Sequence, residues 1–107
     1  MTYSLIIPIF NEERFLPQLI DKLHRLDNEH IEIIIIDDGS NDGTKDILVG
    51  NSQFIVKHNK INLGKGASIT KGVELASAKN IILMDGDLEI DINDIPKLIL
   101  NYENNKS

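Results

Sequence analysis

The 107-residue chain contains no cysteine, and aromatic residues make up only 5% of it. Without thiols it has neither a disulfide scaffold nor a thiolate metal site, which suits a reducing compartment. The few aromatics, with Met84, are read as core. Basic residues are also scarce, 11 against 17 acidic ones for a net charge of −6, which argues against a nucleic-acid surface. Lys57, Lys60 and Lys65 lie near one loop but make no basic stripe. Long apolar runs are missing too. The segment after Met1-Thr2-Tyr3-Ser4 has no basic leader and stops at Asn11-Glu12-Glu13, too short for a secretory signal or a membrane-spanning helix. A cytoplasmic protein is expected, with no transmembrane segment. His24, His30 and His58 lack metal-ligand spacing and read as surface or turn residues. No Ser–His–Asp or Cys–His arrangement supports nucleophilic hydrolysis. With no repeat, low-complexity tract or linker, residues 1–107 are expected to form a single domain.

What the chain does contain is an alternation of strand and helix patterns. Leu5–Ile9, Ile33–Ile36 and Ile81–Met84 are apolar runs without period-2 alternation, as expected of strands covered on both faces, and a further strand is expected around Phe54–Val56. Pro8 lacks an N–H and is placed where the first strand leaves the sheet. Asn11 is expected to cap a helix carrying Phe15, Leu16, Leu19, Ile20, Leu23 and Leu26 on its apolar face. A short helix follows near 45–49, and another over 66–78 presents Ile69, Val73 and Ala76. Asp91 or Asn93 caps a last helix containing Pro96, with Ile95, Leu98 and Ile99 facing inward. The fold class is therefore α/β, a mostly parallel sheet of about four strands with helices on both faces.

Two apolar runs end abruptly in acids, Asp37-Asp38 and Asp85-Gly86-Asp87. Right-handed crossovers place every loop after a strand on one edge, so residues 8–12, 37–44 and 85–89 should converge on a single crevice, where α/β sheets bind ligands. There Asp38 can accept from a base N–H or a ribose hydroxyl, whereas Ser40, Asn41 and Asp42 are common turn formers. Glu12 serves equally well as a first-turn residue complementing the helix dipole. Asp85 and Asp87, oxygen donors around a flexible glycine, suit magnesium or manganese rather than zinc. Asn62-Leu63-Gly64-Lys65-Gly66 is neither a Walker A loop nor a dinucleotide fingerprint, because the glycines and hydroxyl those motifs need are absent. What remains is a loop whose amides and Lys65 lie at a helix N-terminus, a place for an anion.

Taken in order, Ile7-Pro8-Ile9-Phe10-Asn11-Glu12, Asp37-Asp38-Gly39-Ser40-Asn41-Asp42-Gly43-Thr44, Asn62-Leu63-Gly64-Lys65-Gly66 and Met84-Asp85-Gly86-Asp87-Leu88-Glu89 resemble the N-terminal half of family 2 glycosyltransferases. The pattern is most similar to the polyprenyl-phosphate sugar transferases of the dolichol-phosphate mannosyltransferase type. This resemblance implies a Rossmann-like GT-A half-domain that binds a nucleotide-diphosphate sugar with Mg²⁺ or Mn²⁺ and transfers the sugar with inversion. It places Pro8, Phe10 and Glu12 in the nucleoside pocket, Asp38 on the base, and Gly64 and Lys65 over the same region. Asp85 would contact the ribose or the metal, and Asp87 the metal. The acceptor would be a polyprenyl phosphate, a saccharide or a lipid, which puts the full-length protein at the cytoplasmic face of a membrane. Glu89 stands where these transferases often carry Gln, leaving open a further metal ligand or a different donor or acceptor. Acceptor-side residues lie mostly beyond the Asp-x-Asp strand, so the chain is expected to be part of a longer transferase, with little or no transfer activity alone and no catalytic residue identified. An exposed sheet edge and a homo-oligomer are expected of such a half. The alternatives are a non-catalytic nucleotide-binding module and a phospho-accepting receiver; a receiver would carry its acid pair after the first strand.

Overall fold

Strands made of unbroken isoleucine and leucine need cover on both faces, and the two centre strands have it. The computed structural model describes residues 2–26, 29–51 and 53–84, and the last helix expected from the sequence, with Asp85 and Asp87, lies outside them. Within that range β1 (Tyr3–Ile9), α1 (Leu16–Leu23), β2 (Ile31–Asp37), α2 (Thr44–Val49), β3 (Ile55–His58), α3 (Lys65–Leu75) and β4 (Asn80–Leu83) follow one another. The four strands form one sheet in the order β3-β2-β1-β4, and every pairing is parallel. The order reverses direction at β1, which lies between β2 and β4.

On one face, odd-numbered residues of the centre strands (Leu5, Ile7 and Ile9; Ile33 and Ile35) pack with Leu16, Leu19, Ile20 and Leu23 of α1 and Leu48 of α2. Each fully buried side chain of this kind is worth about 1.5–3 kcal/mol. On the other face Ile6, Ile34 and Ile36 lie beneath α3, with Ala76 against them. Here the structure departs from the expected helix face: Ser68 and Gly72 are buried, whereas Val73 is 46% exposed. A Cβ on Gly72 would stand 2.4 Å from Ile6 Cγ2, so the backbones approach too closely for large residues, and Ser68, Gly72 and Ala76 form the inward stripe.

The edges differ from expectation as well. Ile81 and Leu83 are 37% and 54% exposed, so β4 is not covered on both faces. Their partners Ser4 and Ile6 point to the α3 side, where α3 packs chiefly on β1 and β2. Pro8 is the penultimate residue of β1, paired with Ile36 one residue before the strand's last. The strand tolerates it because even-numbered residues of β1 bond toward β4, as Ile6 O does by accepting from Met84 N–H. The missing N–H therefore falls on the β4 side and leaves β1–β2 pairing intact.

Asn11 does not cap α1. It adopts φ 53°, and the N-cap position falls to Phe15, with no side-chain cap. Phe15 and Phe10 are exposed rather than core, at 44% and 42%, while Tyr3 and Phe54 are buried. Pro17 occupies the first turn of α1, where no helical hydrogen bond is lost.

Glu32 fastens α3 to the sheet: its Oε2 accepts from the hydroxyls of Ser4 and Ser77 and from the Ser77 N–H. Partial burial raises its pKa, but these bonds outweigh burial and the net value falls below the ordinary 4.5. A carboxyl depressed in the folded state stabilises above its unfolded pKa, and that contribution is lost as pH falls through the folded value. Glu32→Gln is therefore expected to cost about 1–2 kcal/mol at pH 7. In chemical denaturation the gap between the two proteins should close below about pH 4.

Candidate functional site

Two loops are sewn together before any ligand group is reached. Asn11 N–H donates to Ser40 Oγ, and Asn11 Oδ1 accepts from Asn41 N–H, both at 2.9 Å. Glu12 N–H donates to Thr44 Oγ1 at 3.0 Å and Glu13 N–H to Asp42 Oδ2 at 3.3 Å. Asp42 Oδ1 also accepts from Thr44 N–H at 2.9 Å. Asn11, Ser40, Asn41, Asp42 and Thr44 thus hold the β1 exit against the β2 exit, and the left-handed Asn11 is the fold's means of turning its amide group into that seam.

The two acids that end β2 separate in role. Asp37 turns back into the protein, where Oδ1 accepts from Ser40 N–H at 3.1 Å and Oδ2 meets His58 Nδ1 at 2.8 Å. His58 is therefore the buried acid's partner rather than a plain turn histidine. Asp38 turns toward the loop before α3. Its Oδ1 accepts from Leu63 N–H and from Asn59 Nδ2, each at 2.8 Å, and its Oδ2 accepts from Gly64 N–H at 2.9 Å. Burial raises the Asp38 pKa, but bonds from Leu63, Asn59, Gly64 and Ser68 prevail and hold it below the ordinary value of 3.8. The group is a carboxylate throughout the neutral range.

Gly39 lets this arrangement close. At φ 75° it lies so near the facing loop that a Cβ would be 2.4 Å from the Ile61 carbonyl carbon and 2.6 Å from Asn62 N. Gly64, at φ 99°, turns the same loop into α3, which begins at Lys65.

The result is a cavity of about 270 Å³ at the carboxyl edge of the sheet. Pro8, Ile9, Phe10 and Glu12 supply one wall from the β1 exit, Asp38 the floor from β2, and Asn62, Gly64 and Lys65 the opposite wall. Pro8, Phe10, Glu12, Asp38, Gly64 and Lys65, singled out from the sequence, are thus brought together, along with the N-terminal end of the 11-residue α3. Asp85 and Asp87 lie outside the described residues; Met84, just before them, is bonded to Ile6 O beside this edge. The cavity-lining Ile9 and Asn62 lie within the ordered motifs without a role of their own there, and Asn59, behind Asp38, carries no sequence signal beyond being a polar residue directly after a strand.

A parallel α/β sheet with a polar, partly aromatic cavity at the carboxyl edge of its strands is the arrangement in which such folds bind ligands. Residues 4–107 match the sequence profile of glycosyl transferase family 2. The chain belongs to that family.

Among curated relatives, it is 33% identical over 104 residues to the undecaprenyl-phosphate 4-deoxy-4-formamido-L-arabinose transferase of Aeromonas hydrophila, covering 90% of this chain and 32% of that protein. It is 32% identical over 116 residues to the dodecaprenyl-phosphate galacturonate synthase of Rhizobium johnstonii, covering 94% and 32%. The chain therefore spans about a third of the length of these relatives. Among solved structures, S. aureus TarS 1-349 in complex with UDP-GlcNAc superposes with a TM-score of 0.82 at 21% identity, over 97% of this chain and 32% of that one. The fold is GT-A, as the sequence resemblance implied.

Proposed function

We propose that this chain is the donor-binding part of a longer inverting glycosyltransferase, holding a nucleotide-diphosphate sugar in the cavity between β1, β2 and α3. The observation that carries this reading is the convergence of Pro8, Phe10, Glu12, Asp38, Gly64 and Lys65 on one cavity. The exposed ring of Phe10 offers a face on which a base can stack, and the Asp38 and Glu12 carboxylates accept from base or ribose donors. Lys65 and the α3 N-terminus supply positive potential for the diphosphate. Nucleotide-sugar complexes of fold neighbours, TarS with UDP-GlcNAc and a Pyrobaculum calidifontis mannosyltransferase with GDP-Man and Mn²⁺, support this class of donor.

The sequence resemblance assigns the metal to Asp85 and Asp87, which lie outside the described residues. Their oxygen donors suit Mg²⁺ or Mn²⁺, and the backbone leading to Asp85 is bonded to β1, whose exit lines the cavity. Such a cation would stabilise the charge developing on the leaving nucleoside diphosphate. The names of the curated relatives support a polyprenyl phosphate as acceptor and hence action at the cytoplasmic face of a membrane. Among the described residues no helix is long and apolar enough to cross a bilayer. The expected homo-oligomer through a sheet edge has the exposed Ile81 and Leu83 of β4 as its support.

A donor screen by thermal shift tests the reading. UDP- or GDP-sugars are expected to raise the melting temperature, by about 4–8 °C per kcal/mol of binding linkage, with a larger rise in Mn²⁺ or Mg²⁺ that EDTA reverses. A turnover assay should find little or no transfer. Robust transfer by the 107-residue chain would contradict its being only the donor part. No stabilisation by any nucleotide would contradict the site, and binding by a full-length protein without turnover would favour a non-catalytic module.

A further inference from the structure

Behind Asp38 stands a buried polar chain that touches the cavity only through that carboxylate. Asn59, 5% exposed at the end of β3, donates from Nδ2 to Asp38 Oδ1 at 2.8 Å and to Ser68 Oγ at 3.2 Å. Its Oδ1 accepts from Lys71 Nζ at 2.8 Å. Its backbone N–H donates to Asp37 O at 2.8 Å, which fixes where the side chain begins. An ammonium only donates and a carboxylate only accepts, so the amide between them has one satisfactory orientation: oxygen toward Lys71, nitrogen toward Asp38. Lysine and acid thus specify the same orientation from the two ends of the amide, and the lysine anchors its oxygen end.

We infer that Lys71 and Asn59 are positioning residues that orient the Asp38 carboxylate and, through it, the Leu63–Gly64 wall of the cavity. The inference rests on reading that cavity as the nucleotide site. Without the Lys71 cation, Asn59 Oδ1 loses the donor that anchors and polarises the amide, and the Nδ2 bond to Asp38 weakens. The Asp38 carboxylate, held less firmly on that side, shifts on the amides of Leu63 and Gly64. Charge-assisted bonds of this kind are the strong ones, so the disturbance passes to the loop rather than being absorbed locally. Lys71 lies on α3, three residues past Ser68, and is half-buried. It needs no contact with the ligand to act.

Backbone amide resonances of Leu63 and Gly64 in the free protein report the bonds to Asp38 directly. In Lys71→Met both are expected to move upfield and to exchange faster with solvent, and in Lys71→Arg, which restores a donor to Asn59, to return toward the parent positions. Asn59→Ala should give the same signature as Lys71→Met. Affinity for UDP or GDP, measured by calorimetry, should fall about tenfold in Lys71→Met and recover in Lys71→Arg. Unchanged Leu63 and Gly64 amides in Lys71→Met overturn the inference, whether or not a nucleotide binds. An altered loop in Lys71→Met that Lys71→Arg leaves uncorrected also overturns it, because a merely structural lysine would behave so. Failure of the parent protein to bind any nucleotide would instead refute the reading of the cavity, leaving the amide result to decide the positioning role.

Discussion

Gly39→Ala is expected to destabilise the protein by about 3 kcal/mol and to abolish measurable nucleotide binding. Two costs combine at this one position. At φ 75° any side chain is strained, and the added methyl would sit 2.4 Å from Ile61 C, 2.6 Å from Asn62 N and 2.8 Å from Ile61 O. All three are backbone atoms, so no rotamer relieves the contact. The loop carrying Asn62, Gly64 and Lys65 must move away from Asp38, and it is the cavity's far wall. Two other glycines provide contrast. A Cβ at Gly43 meets only the flexible end of Glu13, and one at Gly50 meets nothing within 4 Å. Gly50→Ala and Gly43→Ala should each stay within about 1 kcal/mol of the parent by urea denaturation and keep nucleotide binding. A Gly39→Ala protein that binds like the parent would show that the 61–64 loop is not held where described.

The second large effect belongs to Asp38. Removing its carboxylate in Asp38→Ala leaves the buried nitrogen of Asn59 and the partly buried amides of Leu63 and Gly64 without their acceptor. A lost charged acceptor costs about 1.5–3 kcal/mol per bond, and under the proposed function the base loses its partner as well, so nucleotide affinity should fall by about a hundredfold or more. Asp38→Asn is the sharper variant, since it keeps the shape but turns an NH₂ toward groups that are themselves donors. Calorimetry should find it nearly as weak as Asp38→Ala. The acid dependence follows from the same bonds. Because the folded pKa lies below 3.8, the carboxylate's contribution is complete above that value and is lost only as pH falls through the lower, folded one. Binding that survives to pH 5 and disappears in stronger acid fits; a midpoint near neutrality does not.

How far the sequence alone led depended on what each residue needed from its surroundings. The runs of β1 and β2 read as strands buried on both faces because their composition reflects cover they have. The similar run 81–84 misled: β4 lies at the edge of the described sheet, and Ile81 and Leu83 stay exposed while α3 packs chiefly on β1 and β2. Hydrophobic periodicity also misplaced the inner face of α3, because that face is chosen by close approach to Ile6, which favours Gly72 and Ser68 over larger apolar side chains. Asn11 looked like a helix cap, but its partners Ser40 and Asn41 are 29 and 30 residues away, a distance no local pattern spans. The cavity residues were legible from ordered motifs at strand exits, since crossover handedness puts all such exits on one edge. Asn59 and Lys71 were not legible. Their importance lies in a bonding path through Asp38 that exists only once β2, β3 and α3 are assembled.

The central claim is that the cavity between the β1 exit, Asp38 and the start of α3 holds a nucleotide. The most direct measurement is a titration of the isotope-labelled protein with UDP and with GDP, in the presence and absence of Mg²⁺, followed by amide resonances. The account predicts saturable shifts concentrated at Phe10, Glu12, Asp38 and the 62–65 loop for at least one of the two nucleotides, and their loss in Asp38→Ala. Shifts that gather elsewhere on the sheet, or none at millimolar nucleotide, would contradict it.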